Sequence, residues 1–297
     1  MIPRCFPGAL SALFIALLSL TATAACSRSI PNVVIGSENT TEQSVVGEIV
    51  AQQVEKRLGL RVVRRPNIGG TLLAYQGLQS GEINIYPEYA GTIVTEVLKE
   101  QPSANADQLF ERAKGEMTRI AQAQLIGPLG FDNSYVGVIR ASDPRASTLS
   151  NLSDAAQVAD GWKLGYSYQF QQQTDAMPAL TQYHLPTTIP MRSVDGAALY
   201  KNMEDGQLTI IVTHPTDGAL RSRDWKVLPD DRKLFTREQL CLVVRQDLLK
   251  AEPRLAGALS ELSGKLTAER MRELNAEVDL DHRTVADTAK GFLASMK

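Results

Sequence analysis

A chain of 297 residues, 43% hydrophobic and 22% charged, is long enough to bury more than one core. Its formal net charge of -2, with no basic patch and no RNA motif, excludes an electrostatic nucleic-acid binder. Three cysteines and three widely spaced histidines exclude a disulfide framework and leave little material for a metal site.

The chain opens MIPRCFPGALSALFIALLSLTATAAC. Arg4, an apolar run from Ala9 to Leu20 and a small-residue stretch describe a secretory signal peptide over residues 1–25. The run is too short for a comfortable membrane span. Thr23-Ala24-Ala25-Cys26 reads as a lipobox with Cys26 as the lipidated first mature residue, although Ala22-Thr23-Ala24 is also an acceptable ordinary cleavage site. The expected location is the periplasm or the outer face of a bacterial membrane. Cleavage removes Arg4 and no acid, so the formal charge moves from -2 to -3.

Val33 to Ile35 reads as a short strand ended by Gly36. Thr40 with Gln43 three residues on is a capping-box pattern. Val45, Val46, Ile49, Val50 and Val54 then recur at helical spacing until Gly59. Arg61 to Arg64 reads as a strand, Asn67 to Thr71 as a turn, and Leu72 to Leu78 as a helix. Ile83 and Ile85 alternate as in a strand, and YPEYAGT at 86–92 reads as an aromatic, acidic turn. This alternation implies right-handed βαβ units and a parallel sheet, with ligands at the carboxyl ends of its strands.

Further on, Ala106 to Ala123 is an amphipathic helix, and a Pro/Gly turn leads to the strand Tyr135 to Ile139. A short helix Ala155 to Ala159 precedes the strand Trp162 to Tyr166, which opens the polar loop SYQFQQQTD. Helices follow from Pro178 and over Ala197 to Met203, then the strand Leu208 to Val212. Leu240 to Val244 is a strand in which the lone Cys241 acts as a small hydrophobe. Closing helices span Leu248 to Ser263, Thr267 to Val278 and Thr284 to Leu293.

Five motifs together resemble one family. They are GSENTTEQ (36–43), NIGGT (67–71), SGEINIYPEYAGT (80–92), GPLGFDNSYVG (127–137) and PTDG (215–218), followed by a closing KLTAERMRELNAEVDLDHRTVADTAKGFL. The family is that of substrate-binding proteins of osmoprotectant ABC transporters, the glycine betaine and choline binders. The resemblance implies an α/β, two-lobed periplasmic-binding fold of type II, with two hinge crossings and the ligand cleft between lobes. One lobe would hold residues 26–132 and 240–297, the other 133–239. It also implies a small cationic or zwitterionic, osmoprotectant-like amine as the ligand, captured by a monomer that delivers it to an ABC permease, is not an enzyme and carries no cofactor or metal.

The resemblance implies a ligand set of Glu38, Tyr89, Thr92, Asn133, Tyr135, Gln173, His214 and Glu238. Family members hold a quaternary ammonium among aromatic rings by cation–π attraction. Tyr89 and Tyr135 keep two of those positions, whereas His214 and Glu238 replace aromatic residues. Thr92 keeps the family's carboxylate-binding Thr, but Glu38 stands where the family has Lys and Gln173 where it has Arg. The cleft therefore loses two cations and gains acids, which disfavours a ligand carboxylate and favours a cation able to donate hydrogen bonds. The alternatives are a glycine betaine or choline binder with rearranged contacts, and a non-transporting sensor. Glu88 and Asp217 read as helix caps or hinge braces, and Arg237 as a surface partner of Glu238. No GxSxG, Walker, HExxH or CxxC motif supports an enzyme.

Overall fold

The structure, a computed structural model, describes residues 33–101, 103–186 and 196–296. The signal-peptide and Cys26 expectations lie outside the described residues. Among the described residues nine strands are formed: β1 (Val33–Gly36), β2 (Val62–Arg65), β3 (Ile85–Tyr89), β4 (Ala123–Ile126), β5 (Val136–Arg140), β6 (Leu164–Tyr166), β7 (Ile210–Thr213), β8 (Trp225–Leu228) and β9 (Leu240–Arg245). They make two sheets, of order β2-β1-β3-β9-β4 and β6-β7-β5-β8. The chain passes between the sheets twice, from β4 to β5 and from β8 to β9. The two passages are tied together by an antiparallel bridge between Asp132 and Gln239 and by the Asn133 N–H donating to Glu238 O at 2.8 Å.

Each sheet is a middle layer. On one face of the first sheet, Leu240, Leu242 and Val244 join the core made with helices Thr41–Leu58, Ala268–Asp279 and Val285–Ser295. On the other face, Cys241 and Val243 join the core of helices Thr71–Ser80 and Ala106–Ile120. Odd and even positions of β9 thus serve opposite cores, the period-two rule at work in a strand buried on both sides. The second sheet is covered likewise, with Ile139, Leu164 and Val212 in one core and Val138, Leu199 and Ile211 in the other.

The opening βαβ pattern holds. The Thr40 Oγ1 accepts from the Gln43 N–H at 3.2 Å, and Gly59 closes the helix at φ 67°. Strands β1 and β2 are parallel, as are β1 and β3. The sheet is nonetheless mixed, because β9 runs antiparallel to both β3 and β4.

Other local expectations are corrected. Tyr86 to Tyr89 is strand, not turn. Its Pro87 is tolerated because β1 pairs with β3 only at Ile85, which leaves that edge free of a ladder partner beyond. The helix expected to reach Ala123 ends at Ile120, since Ala123–Ile126 pairs with β9. The polar loop after β6 contains the helix Tyr168–Gln172, capped by Ser167. The helix expected over 248–263 is two, Gln246–Ala251 and Arg254–Ser260, divided around Pro253.

Candidate functional site

The register of β1 and β3 builds the site. Ile35 and Ile85 are paired, and the strands part immediately beyond them. Glu38 and Glu88 each lie three residues past that last pair. Two carboxyls are therefore carried to the same crevice at the carboxyl ends of adjacent parallel strands, where open α/β sheets hold ligands. A cavity of about 370 Å³ opens there.

Seven of the eight sequence-derived residues line this cavity: Glu38, Tyr89, Thr92, Asn133, Gln173, His214 and Glu238. Tyr135 stands one layer behind. Its ring is stacked on His214, with centroids 4.3 Å apart, and meets Phe170 edge-on at 4.7 Å. It lines the adjoining space instead, which shares Glu38, Tyr89, Asn133 and His214 with the first.

The acids are held differently. Glu238 is buried, and its carboxyl accepts from the Thr92 N–H at 3.0 Å and the Thr92 hydroxyl at 3.2 Å. Burial pushes it up to about 8; the Thr92 bonds oppose this, while Asp132 and Asp175 add to it. Arg237 does not relieve it, because Arg237 pairs with Asp132 at 2.8 Å.

Glu88 is only 1% exposed. One of its oxygens accepts from the Tyr89 N–H at 2.8 Å, and its Oε2 has no donor in bonding geometry. Burial, then the neighbouring Glu38, hold it well above the usual carboxylate range. Burial also raises Glu38, against the help of Thr71 and Glu88. Burial and like-charge proximity thus disfavour ionising both carboxyls at once.

His214 Nδ1 lies 2.7 Å from the Asn133 carbonyl. A carbonyl only accepts, so Nδ1 carries the proton and Nε2 is the nitrogen left to accept in the neutral ring. Tyr89 donates its hydroxyl to Glu42, which also accepts from Asn133 Nδ2 at 3.0 Å and Asn275 Nδ2 at 3.1 Å. Asn133 Oδ1 in turn accepts from the Thr216 hydroxyl at 2.8 Å. Glu42 therefore joins the end of β3 and the passage from β4 to β5 to the closing helix Ala268–Asp279.

Sequence reasoning missed Glu88, Asp175 and Thr236, all of which line the cavity. The offset of Glu88 from Ile85, matched by that of Glu38 from Ile35, was a legible signal once β1 and β3 were taken as neighbours. Asp175 gave none: it is fixed by a contact across 61 residues, accepting from the Thr236 N–H and hydroxyl, each at 2.6 Å. Asp217 does act as a cap, accepting from the Ala219 N–H at 3.1 Å.

Two three-layer lobes joined by paired passages, with a polar cavity at the strand ends, define a two-lobed solute-binding protein of the type II periplasmic class. Residues 31–295 match the family described as the substrate-binding domain of the ABC-type glycine betaine transport system, and the chain belongs to that family. It is accordingly a binding protein and not an enzyme.

Among its relatives, the ergothioneine transport permease/ergothioneine binding protein EgtU of Helicobacter pylori (strain G27) is 28% identical over 261 residues, 88% of this chain. The chain spans about half of that relative, 47% of its length. The carnitine transport binding protein OpuCC of Listeria monocytogenes serotype 1/2a (strain 10403S) is 25% identical over 288 residues, covering 95% of this chain and 92% of that one. A solved glycine betaine/carnitine/choline ABC transporter structure superposes with a TM-score of 0.81 at 23% identity, over 89% of this chain and 98% of the other. That likeness speaks for the fold. No described helix is long and apolar enough to cross a membrane.

Proposed function

We propose that this protein captures a small organic cation bearing N–H donors outside the cytoplasm and delivers it to an ABC permease. The carrying observation is the charge of the cavity wall. It presents Glu38, Glu88, Glu96, Asp175 and Glu238, and no Lys or Arg is among the lining residues. A ligand carboxylate placed there meets like charge without a cationic anchor. An ammonium or guanidinium that donates to carboxylate oxygens gains charge-assisted hydrogen bonds, which a fully methylated ammonium has no proton to make.

The same reading takes Glu38, Tyr89, Thr92, Asn133, Gln173, His214 and Glu238 as contacts, with Tyr135 supporting His214 from behind. The lobes would be residues 26–132 with 240–297, and 133–239. Cys26 would carry the lipid after removal of residues 1–25. Domain closure over the ligand would present the surface that the permease reads.

The names of the relatives favour a second reading, a glycine betaine or carnitine binder with rearranged contacts. Isothermal titration of the purified protein with glycine betaine, carnitine, choline and protonated primary amines separates the two. Amines are expected to bind and glycine betaine to bind poorly. Tight glycine betaine binding by the wild-type protein sinks the cation reading.

A further inference from the structure

The cavity holds its negative charge in two places. At its floor, Glu38 and Glu88 stand side by side at the ends of β1 and β3, and Glu88 Oε2, on a residue 1% exposed, has no donor in bonding geometry. Their proximity disfavours two charges side by side, so the pair acts as one anionic position. On the wall, Glu238 lies beyond the β3–β9 ladder, near Gly91 and held only by Thr92. The other lining acids are already engaged, Asp175 by Thr236 and Glu96 by Lys99 at 3.3 Å. Two acid positions without a cationic partner remain, the pair at the floor and Glu238 on the wall. A metal ion would need them to converge, and no described group of three or more His, Cys, Asp or Glu is arranged to hold one.

We infer that the ligand is an organic dication with an N–H-bearing cationic group at each end, one end donating to the Glu38–Glu88 pair and the other to Glu238. This rests on the proposed capture of a cation and specifies its charge and shape. A monocation engages only one of the two positions, whereas a second cationic end also draws off the Glu238 proton and gains a charge-assisted hydrogen bond. The glutamines of the facing lobe, Gln169, Gln172 and Gln173, line the same cavity and offer carbonyl oxygens to any remaining N–H groups.

The test titrates the wild-type protein, freed of carried-over ligand, with α,ω-diamines from 1,3-diaminopropane to 1,6-diaminohexane and with the monoamines of the same carbon count. At least one diamine is expected to bind about 10- to 100-fold more tightly than its monoamine, the weight of one buried charge-assisted hydrogen bond. Glu238→Gln should weaken diamine binding more than monoamine binding, bringing the diamine-to-monoamine ratio to within about threefold. Its amide oxygen still accepts from Thr92, and circular dichroism checks the fold. Should the variant fail to fold, the wild-type comparison decides alone. Equal affinity for diamines and monoamines overturns the two-charge inference and leaves the proposed function standing. Binding of glycine betaine with no amine bound overturns both.

Discussion

Glu238 gives a prediction whose sign and size both follow from its surroundings. Its carboxyl moves from an ordinary 4.5 to about 8 because it is buried and faces Asp132 and Asp175. The folded protein therefore keeps a proton that the unfolded chain releases, and stability falls as pH rises through that interval. At about 1.4 kcal/mol per pH unit the full effect is on the order of 5 kcal/mol. Glu238→Gln removes the titration and keeps an acceptor for Thr92. Near pH 4 variant and wild type should be of similar stability. Near pH 9 the ligand-free variant should be the more stable, by roughly 10 °C in thermal midpoint at about 2 °C per kcal/mol for a chain of this size. Thermal and urea unfolding of both proteins across this range is the assay. Glu38 and Glu88 are present in both, so the difference isolates Glu238. Parallel pH profiles with a constant offset would refute the reasoning, because they would mean that the buried carboxyl stays ionised at no cost.

Three further outcomes are expected. Affinity for a cation should rise with pH up to about 8, since below that value binding must expel the Glu238 proton; titration in buffers of different ionisation enthalpy should show proton release, and a flat profile would count against the site. Gly91→Ala should lower stability by about 1–3 kcal/mol and weaken ligand binding, because a Cβ there collides with the Arg237 carbonyl oxygen and meets Glu238 Oε2 at 2.8 Å; unchanged melting and affinity would show that this corner yields freely. Glu42→Ala leaves Tyr89 and Asn133 without that acceptor and takes one from Asn275, at about 1–3 kcal/mol for each buried group left unmatched, so a clear drop in urea midpoint is expected and an unaltered midpoint would show that water replaces the carboxylate.

The sequence determined the class. Apolar period, caps and glycine stops place the first helix and its flanking strands, because those signals are local and act within a few residues. The motif set placed seven side chains around one cavity for the same reason: each sits at a fixed offset from a strand end. Tyr135 shows the limit. Its motif brings it to the cleft region, but stacking with His214 and Phe170 sets it behind the wall, and that depends on packing between distant segments.

What only the tertiary structure decided concerns partners. Tyr86 to Tyr89 becomes strand because β9, some 150 residues later, lies antiparallel beside it. Glu88 looked like a cap until the pairing of β1 with β3 set it beside Glu38, three residues past Ile85 as Glu38 is past Ile35. Arg237, next to Glu238 in sequence, turns to Asp132 and leaves that carboxyl to Thr92. Sequence counts the acids. Which of them keep a free charge depends on long-range contacts and burial, and the proposed capture of a cation rests on that.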